Sequence, residues 1–467
     1  MASYSFMHLT MTYTVLITTA LLVFVAISHI LYQKRSAHSM ISWLLAVVLL
    51  PYLAIPLYFF IGIRKRSSGR HKETVTFGER SHPDNVDPLQ STLLKVLEKN
   101  GIPPATSGND YQLITSGTEA FVLMLEEIQA AKESIQFCTY VFAHDEMTEV
   151  MLAALTQRAR EGIQVSLLLD IAGSFRAYVN QKPFAALKKA GGHVLFFAPL
   201  FRKPFQSYIT LRNHRKIYLF DRQTVLGGGM NLSNAYMGAD DGTQRWQDIL
   251  YRLEGPAVYH FYVLFINDWN YAAGKKEQIL PRPSKRGKGE SVVQFIPSGP
   301  DIPSDALYEA LLSSMYEARE RIWIVTPYFV PDDTMMQALV IAKHRGVDVK
   351  LITPRESDHL IADLGRNPYM KELYEAEVDI VLYEGDMLHA KSILFDSTSS
   401  MIGSVNFDNR SLFLNYEVVT FAYSTHLIVQ VEAWMKGLIA HSGREMKQLS
   451  KSREALGNIM KVFTPLL

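Results

Sequence analysis

One pattern, written twice in register, constrains this chain more than any other feature. His214-Arg215-Lys216-Ile217-Tyr218-Leu219-Phe220-Asp221 is matched by His389-Ala390-Lys391-Ser392-Ile393-Leu394-Phe395-Asp396. A glycine (Gly228, Gly403) and an asparagine (Asn231, Asn406) follow each histidine at the same offsets, giving H-x-K-x4-D-x6-G-[GS]-x-N twice. Five positions repeated in register are not expected by chance. The duplication extends beyond the motifs, over roughly 110–275 and 290–440. In each copy a helical pattern precedes a strand (Ser134 to Thr139; Arg321 to Thr326). A helix ending in Gly162 or Gly346 then feeds a further strand (Ile163 to Leu169; Val347 to Ile352). Strand, helix and strand with a glycine stop predict a βαβ unit with a parallel pair. The fold class read from this is α/β: two similar domains with mixed sheets, related by a pseudo-twofold axis.

The spacing also suggests a chemistry. Between His and Asp the pattern alternates and then turns apolar, which predicts a strand with His and Lys on one face. The Gly-[GS]-x-Asn that follows sits at a turn where backbone N–H groups can approach an anion. Two halves face to face would surround a tetrahedral anion with two imidazoles, two ammonium groups (Lys216, Lys391) and two carboxamides (Asn231, Asn406), with close donors at Gly229 and Ser404. That suits in-line displacement at phosphorus, with one His attacking and the other protonating the leaving oxygen. Lys and Asn would neutralise the non-bridging oxygens. Neither a metal nor another cofactor is required. Asp221 and Asp396 end their strands, where a carboxylate caps a turn. A structural role for them is favoured over a chemical one.

These residues resemble the phospholipase D superfamily, whose duplicated H-x-K-x4-D motif builds one active site. Within it the chain is similar to the bacterial cardiolipin synthases. The resemblance is carried by Leu211-Arg212-Asn213-His214-Arg215-Lys216, Gly228-Gly229-Met230-Asn231, Leu253 to Val258 and Asp268-Trp269. Further matches are Pro297-Ser298-Gly299-Pro300-Asp301, Thr326-Pro327-Tyr328-Phe329 and Asn406-Phe407-Asp408-Asn409-Arg410-Ser411. Gly229 departs from the hydroxyl residue that the family often has there; Ser404 keeps it. The resemblance implies a phospholipase D-like fold and a catalytic set of His214, Lys216, Asp221, His389, Lys391 and Asp396. It also implies a phosphatidyltransferase that joins two phosphatidylglycerols into cardiolipin through a phosphohistidine, with the nucleophile in the first motif. On that basis His214 attacks and His389 handles the proton. A lipid hydrolase, a synthase using another donor such as phosphatidylethanolamine, and a membrane-anchored nuclease of the same superfamily share both motifs.

The acids Asp248 and Glu417 follow the two motifs, each opening an apolar strand. A carboxylate on His Nδ1–H fixes the tautomer and stabilises an imidazolium. The resemblance implies such a partner for each His, and taken half by half Asp248 would serve His214.

Before the duplication, Met11 to Tyr32 carries no Lys, Arg, Asp or Glu, about 33 Å of helix at 1.5 Å per residue. Ile41 to Ile63 is a second apolar run containing Pro51 and Pro56, tolerable in a membrane helix. Residues 1–66 therefore predict a two-helix transmembrane hairpin. Lys34 and Arg35 lie in its turn; Arg64, Lys65, Arg66, Arg70 and Lys72 follow it. The heavier cluster favours a cytoplasmic catalytic part on a multi-pass protein of the bacterial inner membrane. Residues 67–109 are polar and read as a linker with one short helix (Leu89 to Leu97). Residues 110–279 and 290–467 are the two domains, the second including C-terminal helices. The net charge of +1 shows no basic field of the kind nucleic-acid binders carry, so membrane lipid is the expected partner and nucleic acid is not. The segment Val194 to Phe205, with aromatics, Arg202 and Lys203, reads either as a loop packed on the core or as a lip dipping among headgroups.

Overall fold

The computed structural model describes residues 2–32, 37–61, 72, 74–77, 91–197, 211–239, 245–282, 289–302 and 304–445. Its first half contributes strands β1 (Thr106–Ile114), β2 (Ser134–Thr139), β3 (Gln164–Asp170), β4 (His193–Phe197), β5 (Ile217–Phe220), β6 (Thr224–Gly228) and β7 (Leu250–Glu254). The second contributes β8 (Ser291–Ser298), β9 (Arg321–Val325), β10 (Phe329–Val330), β11 (Asp348–Pro354), β12 (Asp379–Tyr383), β13 (Ser392–Phe395), β14 (Ser399–Gly403), β15 (Phe407–Asp408), β16 (Glu417–Ala422) and β17 (Ser442–Gly443).

The expected βαβ units form. β2 and β3 pair in parallel around helix Glu146–Arg160, and β9 and β11 around helix Asp333–His344. Gly162 and Gly346 follow these helices at φ 92° and 86°, left-handed values that glycine adopts without steric cost. Outward from the middle the first half runs β1-β7-β6-β5-β2-β3-β4, and the second runs β8-β16-β14-β13-β9-β11-β12 with β17 added at the edge. The two orders match strand for strand, as a duplication demands. They join where β1 meets β8 antiparallel at Thr106↔Val293 and Asn109↔Ser291, with a bulge between, so one mixed sheet runs through both halves. Helix Val258–Ala273 packs beneath the join. Phe261 and Phe265 are fully buried, in one core with Phe295, Ile296 and Val419; each such side chain stabilises by roughly 1.5–3 kcal/mol.

Two segments outside the catalytic halves carry more structure than the sequence patterns specify. The second apolar run is not one helix. It is divided at Leu50 into Ala37–Leu49 and Pro51–Ile61, because Pro51 lacks the N–H that would continue the ladder. Both pieces pack on the first helix through Ala26, Ile30, Trp43, Val47 and Tyr58. Among the described residues only Thr10–Tyr32 is long and apolar enough to cross a membrane. The linker 67–109 contains its one short helix and is packed on the second half. Its helix spans Ser91–Lys99, buries Leu93 and Leu97 against the second half and bonds Glu309 through Asn100 at 2.6 Å. Lys72, counted above as a membrane-flanking charge, is buried. Val75 N–H donates to the Asp301 carbonyl at 3.2 Å. The turn cations Lys34 and Arg35, the flank 62–70, the lip beyond Phe197 and the chain after Glu445 lie outside the described residues.

Candidate active site

The two motifs meet because each lends backbone to the other half. The regular ladders β5 and β13 begin only after Lys216 and Lys391, so His and Lys do not sit on a paired strand as the alternation predicted. They lie on extended segments that cross the interface. His214 N–H donates to Tyr416 O at 2.9 Å and Tyr416 N–H to Arg212 O at 2.8 Å; His389 N–H donates to Gln247 O and Gln247 N–H to Met387 O, both at 2.8 Å. Tertiary pairing has taken the hydrogen bonds that a local strand would have used. Both imidazoles then line one pocket of about 680 Å³, together with Asn231, Asn406, Tyr140, Arg212, Tyr236, Trp246, Tyr328 and Arg410 among others.

The acids cross as well, which corrects the half-by-half pairing. His389 Nδ1 lies 2.7 Å from Asp248, and His214 Nδ1 lies 3.0 Å from Glu417. Each imidazole is therefore held by the other half's carboxylate. Both acids are fully buried or nearly so, and Lys391, with the His389 bond, holds the Asp248 carboxyl below its usual range despite burial. The two positions read as phosphate donors serve these acids instead. Ser404 Oγ donates to Glu417. At Gly229 a Cβ would stand 2.1 Å from an Asp248 oxygen, so the missing side chain is the space the carboxylate occupies. Their backbone N–H groups are spent on the Ile249 and Val418 carbonyls, each at 3.0 Å. Neither residue lines the pocket.

Lys216 and Lys391 are buried and donate to the carbonyls of their own histidines, Lys216 at 2.8 Å. With the His389 Nδ1 proton on Asp248, Lys391 lies along the ring edge as a charge rather than as a second partner of that nitrogen. Burial lowers the ammonium pKa values to about 7 for Lys216, where the Lys391 charge adds to it, and to about 8 for Lys391 despite the carboxylates around it. Burial first, then the Lys391 charge, lowers His389 to about 3, and burial likewise lowers His214. Both imidazoles are thus neutral at physiological pH, with Nδ1–H on a carboxylate and a lone pair on Nε2. The Asn231 carboxamide oxygen accepts from Val141 N–H at 3.1 Å. The Asn406 oxygen is buried without a donor among the described residues.

Asp221 and Asp396 do not line this pocket, in keeping with the structural role favoured for them. Each sits at a positive φ (52° and 50°) at the far end of its strand. Asp221 accepts from the N–H groups of Lys132, Glu133 and Ser134, and Asp396 from those of Arg319, Glu320 and Arg321. They tie the motif hairpins to β2 and β9. Arg215, between His214 and Lys216, is also structural. It is fully buried, 2.6 Å from Asp268 and 3.0 Å from Asp301, and the same two carboxylates hold Lys72. Asn213 adds a 2.9 Å bond to Asp268.

Sequence reasoning assigned no role to several pocket residues. Tyr236 and Trp246 pack on His389 with ring centroids 5.1 and 5.3 Å away; Tyr140 packs on His214 at 4.8 Å. Tyr328, Arg212 and Arg410 lay inside the matching stretches but carried no spacing rule, and Trp246 and Asn415 stand two residues before the acids.

The family profile described as "Cardiolipin synthase, PLD-like domain" matches residues 124–269 and 311–439, and that described as "Phospholipase_D-nuclease N-terminal" matches residues 20–62. The chain is 30% identical to a cardiolipin synthase 1 of Bacillus cereus, over 95% of this chain and 92% of that protein. It is 31% identical to a cardiolipin synthase A of Klebsiella pneumoniae, over 83% of this chain and 84% of the relative. Among solved structures, a phosphatidylserine synthase of Haemophilus influenzae superposes with a TM-score of 0.61 at 15% identity, covering 80% of this chain and all of that one.

Proposed function

This chain belongs to the cardiolipin synthase family with phospholipase D-like domains, and from that premise we propose that it makes cardiolipin from two phosphatidylglycerols by double displacement at phosphorus. The observation that carries this is the pair of imidazoles in one pocket, each with Nδ1 on a buried carboxylate. His214 Nε2 attacks the donor phosphorus with its lone pair, the P–O bond to glycerol breaks, and His389 gives that oxygen a proton. His389 takes that proton from solvent as the headgroup enters, because an anion between the imidazoles offsets the burial and the Lys391 charge that hold its pKa down. Next the hydroxyl of a second phosphatidylglycerol passes its proton to His389. Its oxygen attacks phosphorus, the P–N bond breaks and the lone pair returns to His214. Lys216, Lys391, Asn231 and Asn406 neutralise the non-bridging oxygens. Within this reading the domain bounds 110–279 and 290–467 are kept. The helix Thr10–Tyr32 crosses the bilayer, the broken run after it completes a hairpin, and Arg64, Lys65, Arg66 and Arg70 keep the catalytic halves on the cytoplasmic side of a bacterial inner membrane.

The test is the purified full-length enzyme given labelled phosphatidylglycerol. Labelled cardiolipin and free glycerol are expected; phosphatidic acid alone would make it a hydrolase, and product only with added phosphatidylethanolamine would change the donor. Protein quenched in SDS at mildly alkaline pH, where the P–N bond survives, should carry label on the His214 peptide in the His389→Ala variant and none in His214→Ala. Loss of the general acid slows adduct formation by about 10²–10⁴-fold, so long incubation is required. Label on the His389 peptide in His214→Ala would reverse the assignment.

A further inference from the structure

The duplication supplies each half of the pocket with one His, one Lys and one Asn, enough for one phosphate. On the side next to His214 the pocket holds more. Arg212 precedes His214 by two residues, Arg410 follows Asn406 by four, and Asn415 precedes Glu417 by two. Their counterparts by motif position in the other half are Met387, Ala235 and Trp246, none of them charged. The cross-interface pairing brings the three together. Tyr416 N–H bonds the Arg212 carbonyl at 2.8 Å, and Asn415 N–H bonds the Arg410 carbonyl at 2.9 Å. Arg410 rides on the short helix Asn409–Phe413, which Asp408 caps. Asn415 is only 7% exposed, and its side-chain oxygen has no donor among the described residues.

We propose that Arg212, Arg410 and Asn415 form a subsite for a second phosphodiester, the one carried by the acceptor lipid. The proposal rests on the double displacement above and adds what selects the acceptor. The leaving glycerol and the incoming glycerol occupy the same place beside phosphorus. What the acceptor lipid has, and water or free glycerol lacks, is a phosphate one glycerol away. A guanidinium pair matches that anion by paired N–H donors, and the buried Asn415 carboxamide oxygen, which lacks a donor among the described residues, can accept a glycerol hydroxyl. In the transfer step the acceptor oxygen displaces the His214 nitrogen from phosphorus while its proton passes to His389; the acceptor's own phosphate keeps all its bonds.

The nearby carboxylates are Asp170 and Asp408, and Arg212 and Arg410 respectively work against the burial that raises them. Arg212 and Arg410 also repel one another, and two guanidinium groups that line one pocket are placed to share an anion between them.

The experiment uses full-length enzyme in mixed micelles with one labelled donor, phosphatidylglycerol, and three acceptors compared in parallel: phosphatidylglycerol, free glycerol and glycerol 3-phosphate. In the unmodified enzyme glycerol 3-phosphate should outcompete glycerol by on the order of 10–100-fold, the worth of one or two charge-assisted hydrogen bonds. Arg212→Gln and Arg410→Gln should each lower the ratio of cardiolipin formation to glycerol exchange by a similar factor, through a raised KM for the lipid acceptor. An unmodified enzyme with no preference for the phosphorylated acceptor overturns the subsite, even where a variant fails to fold. Equal losses in both reactions, or an unchanged ratio, overturn it too. Failure of the unmodified enzyme to release glycerol from phosphatidylglycerol would instead strike the proposed function itself.

Discussion

The halves on either side of the β1–β8 join agree in what one phosphate requires and differ in everything around it. His, Lys and Asn recur at equal spacing, and the strand order repeats. The orienting acid is Asp in one half and Glu in the other, and the residue beside it changes in step. The shorter Asp248 approaches the backbone where Gly229 leaves room; the longer Glu417 stands off and takes a hydroxyl from Ser404. The surroundings diverge further: Tyr236 and Trp246 pack on His389, whereas Tyr140 packs on His214 on the side where Arg212 and Arg410 line the pocket. A duplicated fold can keep its reacting groups symmetric while the shell decides which substrate part lies on which side.

The largest expected break in this symmetry comes from the crossed acids. Glu417→Gln removes the carboxylate from His214, and Asp248→Asn removes it from His389. Each should cost on the order of 10²-fold or more in kcat through loss of the correct tautomer and of imidazolium stabilisation. Rapid-quench labelling separates them. With a good leaving group, such as a nitrophenyl phosphodiester, Glu417→Gln should slow adduct formation on His214. Asp248→Asn should leave that adduct step nearly intact and slow transfer from phosphatidylglycerol. The opposite pattern would mean that each acid serves the His of its own half.

Exchanging the small residues is expected to matter less. Gly229→Ser drives a side chain against the Asp248 carboxylate and should destabilise the fold by about 1–3 kcal/mol, measured by denaturant unfolding in detergent. Ser404→Gly loses one hydrogen bond to a charged group, about 1.5–3 kcal/mol at most, and its effect should appear in the labelling rate of His214 rather than in a clash. Equal behaviour of the two exchanges would contradict the paired Asp/Gly and Glu/Ser arrangement.

The smallest effect is a pH limb. A phosphodiester keeps its single negative charge across the working range, so the lysines must be protonated to hold it. Because Lys216 titrates near 7 and Lys391 near 8, kcat/KM should fall as pH rises through that window, by a few-fold to about tenfold per unit. Lys216→Arg, which cannot lose its proton, should move the first bend from about 7 to about 8. A profile flat to pH 9 would show both ammonium groups restored to ordinary values.

The repeat made the α/β class, the βαβ units and the identity of the central side chains legible, because spacing alone reports a period and a copied motif. The pairing of His214 with Glu417 was not legible. Which carboxylate meets which imidazole depends on segments such as 212–216 leaving their own sheet to bond across the interface, and no local pattern encodes that. Lys72 misled for a related reason. A lysine just past an apolar run resembles a membrane-flanking charge, yet Asp268 and Asp301, nearly two hundred residues away or more, enclose it. Asp221 and Asp396 were readable as turn caps from their place after an apolar run, though the motif that contains them argued for chemistry.

The exchange of carboxylates across the interface bears on the protein's life during synthesis. Domains fold as units in the order in which they leave the ribosome. When the first half has emerged, His214 exists but Glu417 has not been translated; Asp248 exists, but the imidazole it will hold has not. Under the proposed function, a nascent chain anchored by its N-terminal helix would lie among its substrates without one complete histidine–carboxylate pair. On that reading competence arrives only as the last strands of the second half close, and an interrupted or truncated product would meet the membrane inert instead of as an uncontrolled lipase.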